Sequence, residues 1–587
     1  MDHIRKHFFL FLIFCTSILL ILTGAVFSFL DQKKPVMTLR SQQHSDIILL
    51  PYVNGDDYCF FIPSGMDFND LYLYSKRTIY CDERIVNKTA LSDYVSDEAM
   101  NLSVGDRKGT ILFKKSGSVP AMFIETLKKD MDYVNSDKKH ELDVRFLFLN
   151  EDGETVLLDQ NAVIKGRGNN SWDTDKKSYN LKLEKETSLL GMAQADKWVL
   201  VPNLTDISKV YNKTVYSFAK ETGLEWTPDC EYVDVYFDGE YNGLYLLCEK
   251  IEVKQNRLDL GKNGVLLKRE LPMRLEIVDN GFETENGNVI EITYPKEVSM
   301  SHKEEIEREV QRMEDALFDL NSDEWEKVID IDSWVRSYLI DELFDNLDAG
   351  IASAYFYLKD GVFYRGPVWD YDSIMWDNPK TMIADTYFRQ PYSTNDYYYL
   401  LNQRKEFLDR VKVIFESEFR PLIDEYVNGK IDEISNSIVE AREMDCVRWN
   451  CQFAQSYITN FKTYLLQKAD FMEEYWENRD NYCKILVQTE IFYRTFMVEK
   501  GNRIIDAINL DMSLFESNEY HFADSDEPFD LEKEVYEDIR LDLVSEGNDV
   551  KEEKSFISQF GLLNLAFSGL FVLSLLYVII KGIYINV

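Results

Sequence analysis

The chain has 587 residues, 45% of them hydrophobic and 14% aromatic, which is enough apolar material for a packed core and too much for a disordered chain. Its formal net charge of −38 repels nucleic-acid backbones, so nucleic-acid binding is excluded at the outset. Phosphate chemistry on such a chain has to bring its own metal ions or use local Arg and Lys.

The elements, taken in chain order, begin with an uncharged apolar run from Phe8 to Leu30 behind Arg5 and Lys6, which reads as a transmembrane helix or uncleaved signal anchor. A second uncharged run, Phe556 to Ile580, precedes Lys581. Two spans (8–30 and 556–580) predict a cell-membrane protein held in the lipid bilayer by two helices. The basic flank predicts cytoplasmic termini and an extracytoplasmic bulk, although Lys33 and Lys34 pull the other way. Between the spans, 36–116 reads as a small β-rich domain of short strands and Gly, Asn and Asp turns. From Pro120 onward further strands follow, at 121–125, 141–149, 163–165, 178–183 and 197–201. A helix capped by Asp206 or Ser208 is predicted through Lys220, then a hairpin, Tyr232 to Phe237 and Gly243 to Cys248, closed by Asp238-Gly239. The period becomes helical from Ser301, over 331–344 and again over 396–480. Residues 117–485 form the main expected domain, and 486–555 an extension ending in an acidic linker.

Of the eight cysteines, Cys15 falls in the first apolar run and the other seven cannot all pair within one chain. A two-residue turn at Asp238-Gly239 pairs residue 230 with 247, which puts Cys230 and Cys248 on opposite faces. Both that bond and one between Cys446 and Cys451 stay open.

The chemistry concentrates in the run from Asn346 to Asp372. Asp360-Gly361 is a hairpin signal flanked by aromatic and β-branched residues. Pairing outward from it sets residue 354 opposite 367 and Gly350 level with Tyr371. Asp348 precedes the first strand and Asp370 ends the second, within Trp369-Asp370-Tyr371-Asp372, so both carboxylates belong at the hairpin's open end. Strands lie about 4.8 Å apart, so the acids can share a site. Such a cluster either raises a pKa or binds a cation, and Mg²⁺ with a nucleotide's phosphates suits it.

The string Ile164-Lys-Gly-Arg167-Gly-Asn-Asn-Ser-Trp172, followed by Lys176-Lys177-Ser-Tyr179-Asn180, resembles the signature of the CotH family of spore-coat-associated atypical protein kinases. The stretches Trp198 to Asp206, Val233 to Lys250, Asn346-Leu-Asp348 and Trp369 to Asp372 follow in the family's order. The resemblance implies an α+β, divergent protein-kinase-like bilobal fold with a β-rich N-lobe and an α-helical C-lobe. It implies transfer of the ATP γ-phosphoryl group to Ser or Thr of extracytoplasmic or cell-surface proteins, with Mg²⁺ or Mn²⁺. Asp348 corresponds to the family's catalytic aspartate and Asp370 to its metal ligand, with Asp372 as a helper. Arg167, Lys177, Glu249 and Lys250 are the expected cofactor-binding set, holding the phosphates or the residues that do. A departure is the short segment after Asp348, which offers Ser353 where relatives carry an Asn. A catalytically weak surface-binding or adhesion protein is therefore the alternative reading, and a glycosidase using paired carboxylates a third.

Overall fold

The computed structural model describes residues 36–168, 172–346, 348, 350, 352–372, 374, 397–488, 493–508, 520–522 and 530–543. Its centre is a closed seven-stranded barrel. The strands are β1 (Ala121–Thr126), β2 (Glu141–Leu149), β3 (Thr155–Arg167), β4 (Ser178–Thr187), β5 (Ala195–Val201), β6 (Cys230–Phe237) and β7 (Glu240–Glu249), ordered β1-β2-β3-β4-β5-β7-β6. All neighbours are antiparallel except β6 and β1, whose parallel pairing closes the ring. Closure leaves no unpaired edge. Alternation makes one face of each strand apolar, so Ile124, Phe146, Ile164, Leu181, Trp198 and Leu247 fill a single buried cluster.

The β6–β7 hairpin departs from the expected register. One extra residue on β7, between Tyr241 and Gly243, bulges the ladder, so Cys230 pairs with Cys248 rather than with residue 247. A bulge shifts every pair beyond it by one. The two cysteines are neighbours after all, both buried and unlinked.

Helix α1 (Tyr211–Glu221) starts later than expected. Asp206 still caps it from outside, since its Oδ2 accepts the Tyr211 N–H at 2.8 Å. A five-stranded sheet follows, ordered Gly281–Glu283, Val289–Tyr294, Val265–Glu270, Ala354–Lys359 and Val362–Arg365. Helices α2 (Met300–Phe318) and α3 (Ile331–Leu343) lie within its connections. Further helices include α4 (Val439–Trp449) and α5 (Ser456–Glu477). The barrel's outer face, this sheet and the helices share the largest core cluster. Before the barrel lie a three-stranded and a six-stranded sheet built from residues 38–115. After α5 comes a four-stranded sheet, in which Ile539–Leu543, from the acid-rich stretch, pairs with Tyr482–Gln488.

Two expectations need correction. The chain does not divide into a β-rich lobe followed by an α-helical lobe, because the strand-rich part closes into a barrel and the later part carries its own five-stranded sheet. No helix among the described residues is long and apolar enough to cross a membrane. Helix α5 has the length, at 22 residues, but carries Lys462, Lys468, Asp470, Glu473 and Glu474. The segments 8–30 and 556–580 lie outside the described residues. Against the expected two membrane helices, the lipid bilayer as partner and the cell-membrane location with cytoplasmic termini stands the lack of any such helix among the described residues.

Candidate active site

Strands Ala354–Lys359 and Val362–Arg365 meet at Asp360-Gly361, both at positive φ (53° and 83°), as a two-residue hairpin turn demands. Their ladder runs from Lys359↔Val362 to Phe356↔Arg365. At the open end, the loop before the first strand carries Asp348 and the segment after the second carries Asp370.

Each arm has its own anchors, and one anchor is shared. On the first, Arg269 donates to the Gly350 carbonyl at 2.8 Å and to Asn288 Oδ1 at 2.6 Å. Asn346 Oδ1 accepts the Asp348 N–H at 3.1 Å, and Asn346 Nδ2 donates to Asp341 Oδ1 at 3.1 Å. Asp341, in the last turn of α3, also accepts the Tyr371 and Tyr398 hydroxyls and faces Arg365 at 3.6 Å. One buried carboxylate thus joins both arms. The second arm is gripped by α1, where Asn212 and Tyr216 sit one turn apart on the same face. The Tyr216 hydroxyl accepts the Asp370 N–H at 3.2 Å, and Asn212 Oδ1 accepts the Tyr371 N–H at 2.8 Å. Trp369 stacks on Tyr216 with ring centroids 5.9 Å apart. Between these holds Asp370 adopts φ +71°, a left-handed conformation that costs a non-glycine residue roughly 1–2 kcal/mol.

Burial lifts the Asp348 carboxyl to about 6, with the Asp370 charge and then Glu270 adding to the rise and Arg274 opposing it. Burial raises Asp370 too, against the pull of Arg167 and Arg274. Both residues nonetheless keep part of their surface exposed to solvent. Arg167 lies over the Trp369 ring at 5.1 Å and donates to Ser178 Oγ at 3.3 Å. Lys250 has no ion-pair partner among the described residues, and burial, Arg167, Lys296 and Lys197 lower its ammonium to about 8.

The structure therefore brings Arg167 to Asp370 and Asp370 to Asp348, while Lys250 meets this group through Arg167. Lys177 and Glu249 are engaged elsewhere. The Lys177 ammonium donates to the carbonyls of Trp172 at 2.6 Å and Thr174 at 3.0 Å. Glu249 is buried and accepts the N–H groups of Ala193 at 3.2 Å and Asp229 at 3.1 Å. Asp372 follows on the gripped segment, where its carbonyl accepts the Thr205 hydroxyl at 3.1 Å.

Sequence reasoning missed Glu270 and Arg274, which act on both acids. They pair at 3.0 Å, and Lys268 joins Glu270 and Glu291, each at 2.7 Å. The signal was Lys268-Arg269-Glu270 closing the apolar strand Val265–Glu270, three charges in a row where a strand end needs none.

A cleft of about 580 Å³ at the barrel, lined by Ile48, Phe123, Arg145 and Asp238 among others, does not include these acids. No cluster of three or more metal-ligating side chains occurs among the described residues. The pair Asp348 and Asp370 suits a hard divalent cation all the same: all-oxygen donors whose mutual repulsion a cation relieves, with phosphate or water completing the shell.

Among known protein families, the model described as CotH kinase protein matches residues 164–483, more than half of the chain. No curated protein matches it.

Proposed function

The chain belongs to the CotH kinase family, and on that premise we propose that it transfers the γ-phosphoryl group of ATP to a Ser or Thr hydroxyl of a protein, with Mg²⁺ or Mn²⁺. The observation that carries the reading is the meeting of Asp348 and Asp370 at the hairpin's open end, with the cations Arg167 and Arg274 acting on Asp370.

Asp370, with Asp372 beside it, would hold the metal, which when bound neutralises charge on the phosphates. Arg167 offers a planar fork to phosphate oxygens, and Lys250 a point charge that burial and its cationic neighbours lower to about 8 but that stays protonated at neutral pH. Asp348 accepts the proton of the acceptor hydroxyl. A carboxyl titrating near 6 is a better base than an ordinary aspartate and is still ionised at neutral pH. Lys177 and Glu249 act one step back, by shaping the strand ends that present Arg167 and Lys250.

The test incubates the full chain with radiolabelled ATP, Mg²⁺ or Mn²⁺ and a Ser-rich protein acceptor. Label should pass to the acceptor, and Asp348→Asn or Asp370→Asn should each lower the rate by at least ~10²-fold. Indifference to ATP with and without metal would mark the surface-binding alternative. Undiminished transfer in both variants would overturn the assignment.

A further inference from the structure

Helix α4 ends at Trp449, Asn450 takes the left-handed conformation (φ 53°), and the Cys451 N–H donates back to the Cys446 carbonyl at 3.0 Å. This reversal brings Cys451 Sγ to 2.6 Å from Cys446 Sγ, although neither cysteine is linked. Non-bonded heavy atoms rest at about 3.5–4.0 Å, so the pair lies well inside contact distance and close to bonding distance. We propose that Cys446 and Cys451 form an intrachain disulfide that staples the end of α4.

What the staple would secure is the barrel's attachment to the later helices. Asp445, beside Cys446, takes the fully buried Lys176 ammonium at 2.6 Å and lies 3.2 Å from Lys209. It also accepts the Leu244 N–H at 2.9 Å. Arg448 donates to the Tyr241 carbonyl and Trp449 to the Asn242 carbonyl, both at 3.0 Å. Three residues of the Cys446–Cys451 turn and its flank, Asp445, Arg448 and Trp449, thus hold the β6–β7 hairpin. The fit is close: a Cβ on Gly243 would stand 2.5 Å from Asp445 Oδ1 and 2.8 Å from Trp449 Nε1.

The chemistry is exchange with an external disulfide, such as oxidised glutathione or an oxidoreductase. Cys451, the more exposed thiol, attacks as thiolate and forms a mixed disulfide, releasing one thiol. Cys446 then attacks Cys451 Sγ and releases the second. Two protein S–H bonds become one S–S bond, and the oxidant takes two electrons and the two protons. Burial, the largest of the causes that push the Cys446 thiol up, persists after Cys451 has formed the mixed disulfide, so the second step is the slow one; the nearby Lys209 eases it.

Trypsin decides the matter because Arg448 lies between the two cysteines. The full chain is treated with oxidised glutathione, alkylated with N-ethylmaleimide under denaturing conditions and digested. Peptides 443–448 and 449–462 should appear joined, and should separate on reduction. Thermal unfolding provides the second measurement, with dithiothreitol expected to lower the midpoint of the native chain by roughly 1–4 °C and to leave Cys451→Ser unmoved. Alkylation of both thiols, glutathione persisting on Cys451 alone, or an equal shift in the variant would each overturn the proposal.

Discussion

Asp348 is the residue whose environment most changes its chemistry. Its carboxyl is lifted to about 6 by burial, Asp370 and Glu270, so it is ionised above that pH and protonated below it. A base must be ionised to work, so kcat/KM, which reports the free enzyme, should fall as pH drops through about 6. Glu270→Gln removes a negative charge that raises Asp348 and releases Arg274, which lowers it. Both changes have the same sign, so the acidic limb of the profile should move to lower pH in this variant. A limb that stays in place would remove Asp348 from the role of base or Glu270 from its neighbourhood.

Among the elements, α1 does more for the site than its distance in sequence implies. The hairpin brings Asp370 to the right end, but a hairpin alone leaves its last residues free to fray. Asn212 and Tyr216 take the backbone amides of Tyr371 and Asp370 and so hold Asp370 in a conformation it would not otherwise keep. Tyr216→Phe removes one acceptor from a partly exposed amide and should cost about 0.5–1.5 kcal/mol of stability. Asn212→Ala strands the Tyr371 N–H inside the core and should cost about 1–3 kcal/mol. Both are positioning residues. Each variant should weaken metal-dependent ATP binding several-fold while leaving the Asp348 limb of the pH profile where it was. A variant that loses stability but binds Mg-ATP normally would show that the grip serves only the fold.

Over the whole molecule, one buried carboxylate links parts of the chain that are far apart in sequence. Asp445 on α4 meets Lys176 from the turn before β4 and Lys209 from the approach to α1, and none of the three side chains has more than 2% of its surface exposed. The two ammonium groups hold the Asp445 carboxyl below its ordinary value despite its burial. Its ionised form is thus worth stability above the unfolded-state pKa, and that stability is lost as pH falls through the lower folded value. Asp445→Asn leaves two buried cations short of a counter-charge and should cost about 3–5 kcal/mol, measured by denaturant unfolding at neutral pH. An unchanged midpoint would mean that the barrel and the helices are held by packing alone.

The turn at Asp360-Gly361 was legible because its chemistry is local: two residues that tolerate positive φ, with β-forming neighbours on either side. From that turn and strand geometry alone, Asp348 and Asp370 could be placed together, and the order of short motifs around Arg167, Asp206, Glu249 and Asp348 identified the family. The barrel's closure, the extra residue in β7 that sets Cys230 beside Cys248, and the fates of Lys176, Lys177 and Glu249 were not legible. Nor were Glu270 and Arg274, which act on acids about 75 to 100 residues further on. A charged side chain becomes a ligand, a base or a structural tie according to the partner that folding brings to it. Lys176 and Asp445 are 269 residues apart, and no pattern within either stretch records that they meet. Backbone propensity acts over a few neighbours and can be read along the chain; desolvation and ion pairing act through space and exist only once the chain has closed on itself.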